Sequence, residues 1–170
     1  MKKYLLFLTL PLYVLDQFTK LLIVRYFPHQ TFRGEEIVVI PGFFNLVRVH
    51  NTGMAFGHFN NSQYANLAFG AVAIAALATI TVLWKRGAFP TTPSKLASAL
   101  LISGIVGNLT DRLMPGRGYV VDFLDFHLGT YHWPSFNVAD SAITIAAALL
   151  VISAFQTPPN LPDVPIEIES

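Results

Sequence analysis

The chain has 170 residues, of which 53% are hydrophobic and only 12% are charged, whereas a typical soluble domain has about 25% charged residues. The formal net charge is +1 and there is no cysteine. This composition excludes a strongly basic surface, so no nucleic-acid partner is expected. It also excludes disulfides, thiolate metal sites and a cysteine nucleophile. The sequence therefore predicts an integral membrane protein whose few polar residues need an explanation.

Four apolar segments are long enough to cross a bilayer, which takes about 20 residues in a helix. They predict helices at about 4–27, 66–84, 95–113 and 136–156. The first segment follows two lysines, as the core of a secretory signal peptide would. Its length and its internal polar residues nevertheless favour a retained helix. The predicted fold class is an all-α membrane protein with four transmembrane helices and a small extracytoplasmic β-sheet subdomain.

The longer connections lie on the side opposite the termini. Ile37–Ile40 and residues 43–50 are rich in β-branched and aromatic residues and flank a Pro-Gly turn, which is typical of short strands. We therefore expect the β subdomain at about 33–60, with a candidate flexible lid at 57–64. Residues 115–135 are interpreted as a second outer loop.

These segments predict a single membrane-embedded domain, residues 1–157, followed by a flexible Pro-rich acidic tail at 158–170. Apart from Lys20, the lysines and arginines divide evenly between the two sides of the membrane. The lysines that flank helices all lie on the side of the termini. Because positive charge near helix ends favours the cytoplasm, we expect both termini to be cytoplasmic.

The first predicted helix contains an acid and a base where hydrocarbon is expected. Asp16 and Lys20 are four residues apart, so their side chains share one helix face. The favoured interpretation is a neutralised ion pair that fixes the helix to its neighbours. The alternative is a proton or ion path, since ionisable residues within a span often have a function.

Polar residues also mark two facing helix ends. Asn108, Asp111 and Arg112 close the third predicted helix, and Asn137 and Asp140 open the fourth. Asn137 suits a helix N-cap. A cap does not account for Asp140, an acid at the edge of the hydrocarbon.

Two further acids, Asp122 and Asp125, lie in an apolar stretch between those helices. Their spacing does not decide which of them has a function. In a four-helix topology they would reach the same membrane face as the two polar helix ends. A close carboxylate pair at low dielectric retains one proton, and aspartic proteases use such a pair to activate water without a metal or cofactor. The sequence has no phosphate-binding loop, zinc motif or serine elbow.

Five short motifs carry a resemblance to a known family. They are Asp16-Gln17-x-x-Lys20, Asn-Thr-Gly-Met-Ala-Phe at 51–56, Gly-Asn-Leu-Thr-Asp-Arg at 107–112, Val-Val-Asp-Phe at 120–123 and Phe-Asn-Val-Ala-Asp-Ser at 136–141. In this order, over nearly the whole chain, they closely resemble the lipoprotein signal peptidases (signal peptidase II). These are bacterial aspartyl proteases of the cytoplasmic membrane. The resemblance implies a multi-pass inner-membrane enzyme with its active site near the outer face.

The resemblance also implies roles for individual residues. Asp122 and Asp140 would be the catalytic pair. The residues that match positions around this pair, and would bind or orient the substrate, are Asn51, Asn108, Arg112 and Asn137. The residues interpreted as structural are Asp16, Lys20 and Asp111, the last supporting Arg112 or its helix end. No metal ion or other cofactor is implied.

The implied substrate is a prolipoprotein whose signal peptide precedes a diacylglyceryl-modified cysteine, cut on the N-terminal side of that cysteine. The implied partners are these membrane-anchored substrates and membrane lipid, and we expect a monomer. Two other functions stay open. One is an ion-coupled transporter, although four spans without an internal repeat argue against it. The other is a non-catalytic membrane assembly factor, whose activity would survive Asp122→Asn and Asp140→Asn.

Overall fold

The computed structural model describes residues 1–31, 34–53 and 63–156. The helices are α1 (Lys2–Tyr26), α2 (Gln63–Lys85), α3 (Thr92–Leu113) and α4 (Val138–Ala154), and the strands are β1 (Ile37–Ile40), β2 (Phe44–Asn51), β3 (Val120–Leu128) and β4 (Tyr131–His132). Residues 57–62 of the predicted lid lie outside the described residues, and so does the predicted tail at 158–170. The last two residues of the predicted lid belong to the first turn of α2.

Apolar helices dominate the fold, as the composition predicts. Within the described residues, Lys2–Tyr26 and Asn66–Lys85 are long and apolar enough to cross a membrane, and the apolar helix Val138–Ala154 is shorter. Large apolar side chains cover their outer surfaces; Phe7, for example, is 76% exposed. A surface of this kind favours lipid over water. The predicted class, a mostly helical protein with apolar helices and a small antiparallel sheet, is confirmed at this level.

Helices α3 and α4 pack closely because small residues line their interface. A Cβ atom placed on Gly104 would lie 2.5 Å from the backbone oxygen of Ala139. Ala97, Ala142 and Ala146 are buried in the same contact. Small residues let helix backbones approach each other, as is common in membrane proteins. This contact brings the end of α3 beside the start of α4.

Gly107 makes the corresponding contact with α1 and provides a test of this packing. A Cβ atom there would lie 2.6 Å from Oδ2 of Asp16 and 3.1 Å from Cβ of Ala139. We expect Gly107→Ala to lower the free energy of unfolding by about 1–3 kcal/mol through overpacking. Thermal unfolding in detergent measures this. Gly70→Ala is the control, because a Cβ on Gly70 of α2 meets no atom within 4 Å. A Gly107→Ala protein as stable as Gly70→Ala would contradict the described packing.

The four strands form one antiparallel sheet in the order β1-β2-β3-β4. Gly42, with φ of +75°, makes the turn between β1 and β2. Residues 115–135, interpreted as the second outer loop, contain β3 and β4, two strands that the sequence analysis does not predict. Strand β3 has no polar–apolar alternation, since its residues are mostly buried on both faces. Periodicity therefore does not reveal it.

A buried arginine joins the sheet to the end of α1. Arg48 on β2 donates from Nη1 to the backbone oxygens of Phe27 and Val24, and from Nη2 to the Tyr119 hydroxyl. These bonds satisfy carbonyl groups that the helix end leaves without partners. Apolar side chains from α1 and β3, including Ile23 and Phe123, form a shared core below them. The sheet is thereby fixed over the ends of the helices.

Candidate active site

Asp122 lies on β3 and is almost completely buried, with 2% of its surface exposed. Its Oδ1 accepts a hydrogen bond from Nδ2 of Asn137 at 2.7 Å, and its Oδ2 accepts one from Nδ2 of Asn51 at 2.9 Å. Asn51 ends β2, and its own Oδ1 accepts from the backbone N–H of Gly53 at 2.8 Å. Gly53 has φ of +97°, which suits glycine. This turn fixes the Asn51 amide so that its NH2 faces Asp122.

Asp140 lies in the first turn of α4, where it completes a capping box with Asn137. Oδ1 of Asn137 accepts from the backbone N–H of Asp140 at 2.9 Å, and Oδ2 of Asp140 accepts from the backbone N–H of Asn137 at 3.2 Å. The prediction of an N-cap at Asn137 is correct. The inference that capping does not involve Asp140 is wrong, since its carboxylate forms half of the reciprocal cap.

Three asparagines hold the two carboxylates. Asn137 contacts both of them, and Asn108 on α3 donates from Nδ2 to Oδ1 of Asp140 at 2.7 Å. Each carboxylate thus accepts two hydrogen bonds. Four separate elements meet here: the end of β2, the start of β3, the end of α3 and the start of α4. The structure therefore brings Asp122, Asp140, Asn51, Asn108 and Asn137 into one connected cluster.

The environment of Asp122 favours its protonated form. Burial raises the pKa of Asp122 to about 7, and the negative charge of Asp140 adds to the rise. The hydrogen bonds from Asn51 and Asn137 act in the opposite direction but are outweighed. Two neighbouring carboxyl groups in such a site titrate as a unit. The pair can therefore present one acid and one base near neutral pH, which is what water activation requires.

A fully buried ion cluster lies next to this pair. Nζ of Lys20 is 2.9 Å from Oδ2 of Asp16 and 3.0 Å from Oδ2 of Asp111. Asp111 also contacts Nη1 of Arg117 at 2.7 Å, and Asp16 accepts from the backbone N–H of Ala139 at 2.9 Å. The ion pair between Asp16 and Lys20 that the sequence predicts is present. It is part of a larger cluster that also includes Asp111 and Arg117. Of the two roles expected for Asp111, support of Arg112 or of its helix end, the contacts with Arg117 and with the backbone N–H of Val121 correspond to the second.

Lys20 also determines which way the Asn108 amide points. Its Nζ donates to Oδ1 of Asn108 at 3.0 Å. An ammonium group has no acceptor, so the oxygen of the amide must face Lys20. The NH2 group of Asn108 is consequently turned toward Asp140. A single residue, Asn108, thus links the ion cluster to the carboxylate pair.

Asp125 lies apart from these contacts, whereas Arg112 reaches their edge through Asn108. The guanidinium of Arg112 lies 5.0 Å from the ring centre of Phe69 and donates a hydrogen bond to the backbone oxygen of Asn108. It also borders a cavity of about 180 Å³ between α2, α3 and α4. Asp125 contacts His132 and Asn45 on the sheet. Among the described residues, neither Asp122 nor Asp140 forms a hydrogen bond with Asp125. The structure therefore places Asp122 in the asparagine cluster and Asp125 outside it, a distinction that spacing in the sequence does not make.

Sequence reasoning missed Arg117 and Gly107 as parts of the site. Arg117 follows Asp111 by six residues beyond the helix end, so no helical spacing connects them. Gly107 precedes Asn108 and provides room for Asp16. Among the described residues, no group of three or more His, Asp or Glu side chains is arranged so that it could hold a metal ion.

Comparisons with known proteins show which chains this one is similar to. Residues 8–156 match the family model described as signal peptidase (SPase) II. The chain is 44% identical over 140 residues to a lipoprotein signal peptidase of Paraburkholderia phymatum, covering 80% of this chain and 78% of the relative. It is 39% identical over 146 residues to one of Alteromonas mediterranea, covering 85% and 76%.

The fold is similar to two solved structures of bacterial membrane enzymes, both determined by the in meso method. The structure at 1.9 Å resolution matches with a TM-score of 0.75 and 29% identity, covering 89% of this chain and 92% of that one. The structure at 2.3 Å matches with a TM-score of 0.74 and 29% identity, covering 88% and 86%.

Proposed function

The chain belongs to the signal peptidase II family, the lipoprotein signal peptidases, and we propose that it cleaves lipid-modified prolipoproteins with Asp122 and Asp140 as its catalytic pair. The observation that carries the assignment of the pair is the cluster in which Asn137 contacts both carboxylates while Asn51 and Asn108 each hold one. The substrate is a membrane-anchored protein with a diacylglyceryl-modified cysteine. The enzyme cuts on the N-terminal side of that cysteine.

The chemistry follows from one shared proton. The ionised carboxylate removes a proton from a water molecule as the water oxygen attacks the scissile carbonyl carbon. The protonated carboxyl donates its proton to the carbonyl oxygen, which gives a neutral tetrahedral diol. When the C–N bond breaks, the carboxyl that took the proton from water gives it to the cysteine nitrogen, which leaves as the amine. A diol hydroxyl returns a proton to the other carboxylate, so the signal peptide leaves as a carboxylic acid and the pair again holds one proton. No metal or cofactor takes part in this scheme.

The surrounding residues position the substrate. Arg112 borders the cavity between α2, α3 and α4, and this cavity also contacts Asn108. The cavity is lined mostly by apolar side chains, which suits a signal peptide that is itself within the membrane. Asn108, Arg112, Asn51 and Asn137 are the substrate-orienting residues. Asp16, Lys20 and Asp111 support them through the buried ion cluster.

The proposed topology has four membrane spans, with both termini in the cytoplasm and the carboxylate pair near the outer face. The sheet follows α1 and lies at the same end of the helices as the pair. Single cysteines provide the test, because the natural chain has none. A cysteine at Lys2 or Lys85 should be protected from a membrane-impermeant thiol reagent in intact cells, whereas one at Val39 should be labelled. Labelling at Lys2 in intact cells would contradict the proposed orientation.

The substrate proposal is tested by the lipid requirement. Purified enzyme in detergent is incubated with a prolipoprotein that carries the diacylglyceryl group and with the same protein lacking it. We expect cleavage of the modified form only, read as a mobility shift and as the mass of the product. Equal cleavage of both forms would contradict the proposed substrate class.

The raised pKa of Asp122 predicts how stability depends on pH. In the unfolded chain Asp122 loses its proton near pH 4, its ordinary value, whereas in the folded protein it holds the proton up to about pH 7. The folded state therefore binds more protons in this range, so its free energy of unfolding falls as the pH rises from about 4 to about 7. Cleavage should also slow above pH 7 as the shared proton is lost.

Thermal unfolding at several pH values measures this slope. Asp122→Asn should flatten it, because an amide does not titrate. A variant with the same slope as the wild type would show that Asp122 does not retain its proton in the folded enzyme.

The transporter and assembly-factor functions predict other outcomes. A relay through the membrane places acids at several depths, whereas Asp122 and Asp140 share Asn137 at one end of the helices. An assembly factor would tolerate the loss of both carboxylates. The family membership favours the peptidase over both.

A further inference from the structure

An open groove lies between the end of α1 and the first two strands of the sheet. It has a volume of about 480 Å³, and its lining includes Leu22, Tyr26, Ile37 and Leu46; we call it the α1 groove. Leu22 and Tyr26 are 48% and 70% exposed, so the groove opens to the surroundings of the helix. Its lining shares no residue with the cavity beside Arg112. The α1 groove is therefore distinct from that cavity.

The lining of the α1 groove is almost entirely hydrocarbon. Only the Arg25 side chain and the Tyr26 hydroxyl group are polar among the side chains that line it in the described part of the chain. Water in such a cavity finds few hydrogen-bond partners. The helix beside it is long and apolar enough to cross a membrane, so its surroundings supply acyl chains. The volume lies within the range of about 300–1,000 Å³ that is usual for ligand sites. An acyl chain is the occupant that suits this lining.

Arg25 adds a positive charge at the edge of the α1 groove. It lies in the last turn of α1 and its side chain is exposed. It forms no ion pair with any other described residue, and none of the described lining residues is acidic. A guanidinium group binds the oxygens of a phosphate through two parallel N–H···O bonds. The groove thus combines a site for hydrocarbon with a cation that has no anionic partner.

The place of Arg25 along α1 corresponds to the level of lipid headgroups. The helix has 25 residues, which at about 1.5 Å per residue is enough to cross a hydrocarbon layer of about 30 Å. Arg25 and Tyr26 are its last two residues, and tyrosine is enriched where hydrocarbon meets headgroups. A phosphate from the surrounding lipid is therefore available at this end of the helix.

The floor of the α1 groove belongs to the core that supports the catalytic strand. Ile23 and Phe27 line the groove and form one buried cluster with Val121 and Phe123. The latter two residues flank Asp122 on β3. A molecule that fills the groove would complete this core on its open side.

We propose that the α1 groove binds one anionic phospholipid, with an acyl chain against the apolar lining and the phosphate on Arg25. The diacylglyceryl group of the substrate also has acyl chains, but it has no phosphate for Arg25. A free phosphate would pair with Arg25 but leave the apolar lining empty. The ammonium of a zwitterionic headgroup would find no acid in the lining. The inference goes beyond the proposed function and does not depend on the cleavage reaction.

Thermal unfolding in lipid-free detergent tests the proposal. Phosphatidylglycerol, phosphatidylcholine and diacylglycerol with the same acyl chains are titrated separately. A ligand that binds only the folded state raises its stability according to its concentration and Kd, so each titration gives a Kd. We expect phosphatidylglycerol to bind about tenfold more tightly than diacylglycerol, as for one hydrogen bond to a charged group. Phosphatidylcholine should lie between them. Arg25→Gln should bring the tenfold ratio close to one.

Arg86→Gln is the matched control. Arg86 is also exposed and has no ion pair within the described ranges, but it follows α2 and does not line the α1 groove. This variant should keep the tenfold ratio. An equal fall in both variants would indicate a general charge effect and overturn the proposal.

A second variant tests the groove itself. Ile37→Trp places a large side chain in the α1 groove and should weaken the binding of phosphatidylglycerol and of diacylglycerol alike. If this variant fails to fold, Leu22→Trp replaces it, because Leu22 is about half exposed. Unchanged lipid binding in a folded variant of this kind would show that the lipid binds elsewhere.

Hydrogen exchange locates the effect of the bound lipid. Phosphatidylglycerol should slow exchange at residues 22–27 and 120–124 in the wild type but not in Arg25→Gln. Residues 92–100, at the start of α3, should be unchanged. Equal protection of all three segments would mean that the lipid acts on the whole protein, which would overturn a specific site.

Three further results would overturn the assigned occupant. Equal affinity for phosphatidylglycerol and diacylglycerol would assign the α1 groove to an uncharged diacylglyceryl group. Equal affinity for phosphatidylglycerol and phosphatidylcholine would show that the groove does not select a negative headgroup. Stabilisation by sn-glycerol 3-phosphate as strong as that by phosphatidylglycerol would assign Arg25 to a free phosphate. These binding results leave the cleavage assays of the proposed function unaffected, so the two proposals fail separately.

Discussion

Asp122→Asn and Asp140→Asn are each expected to lower the rate of prolipoprotein cleavage by at least about 10³-fold, within the range that general acid–base groups contribute. An asparagine keeps the shape of the side chain but neither removes a proton from water nor supplies one. The surrounding asparagine NH2 groups would also face an amide in place of a carboxylate. The loss should therefore appear in kcat, with little change in KM.

The control for this prediction is on the same strand. Asp125 is also a buried acid of β3, and Asp125→Asn should still cleave the lipid-modified prolipoprotein. Thermal unfolding of all three variants checks that they are folded. Loss of cleavage with Asp125→Asn but not with Asp122→Asn would reverse the assignment.

Lys20→Met is expected to destabilise the protein by about 3–5 kcal/mol, the usual cost of removing one partner from a buried ion pair. Methionine is similar in size to lysine, so the effect comes from charge and not from a cavity. Without the ammonium, Asp16 and Asp111 lose a shared cation that lies about 3 Å from both. The Asn108 amide also loses the donor that keeps its NH2 group toward Asp140.

Arg117→Gln is the matched control for Lys20→Met. Arg117 contacts the same Asp111 but is 12% exposed, and Lys20 and the backbone N–H of Val121 remain to hold that carboxylate. We expect the control to cost much less stability, as measured by thermal unfolding in detergent. If Lys20→Met were no less stable than Arg117→Gln, the buried ion cluster would not support the site.

The sequence predicts the helices well because each is a long apolar segment, and hydrocarbon leaves the backbone few alternatives to a helix. The observed helices start and end within a few residues of the predicted segments. Strand β3, in contrast, is not predicted from the sequence. Its residues are buried by β2 on one edge and by α1 below, and the pairing of Val49 with Asp122 joins residues more than 70 positions apart. No local pattern contains that information.

In the site, too, the sequence predicts what depends on local motifs and spacing but not what depends on contacts between distant elements. Family motifs identify Asp122, Asp140 and the three asparagines, and helical spacing predicts the pair of Asp16 with Lys20. The contact of Lys20 with Asp111 depends on how α1 and α3 cross. That crossing depends on Gly107, where any side chain would collide with Asp16. Contacts between helices require the packing itself, which is why sequence reasoning linked Asp111 only to Arg112 or its own helix end and not to Lys20.

The most direct test of the central claim is cleavage in the presence of a metal chelator, with the products identified by mass. Wild-type enzyme, Asp122→Asn and Asp140→Asn are compared on one diacylglyceryl-modified prolipoprotein. The account predicts that the wild type alone releases the signal peptide, cut immediately before the modified cysteine and unaffected by the chelator. Cleavage that continues in either folded variant, or that stops in the wild type when metal is removed, would contradict a catalytic pair formed by Asp122 and Asp140.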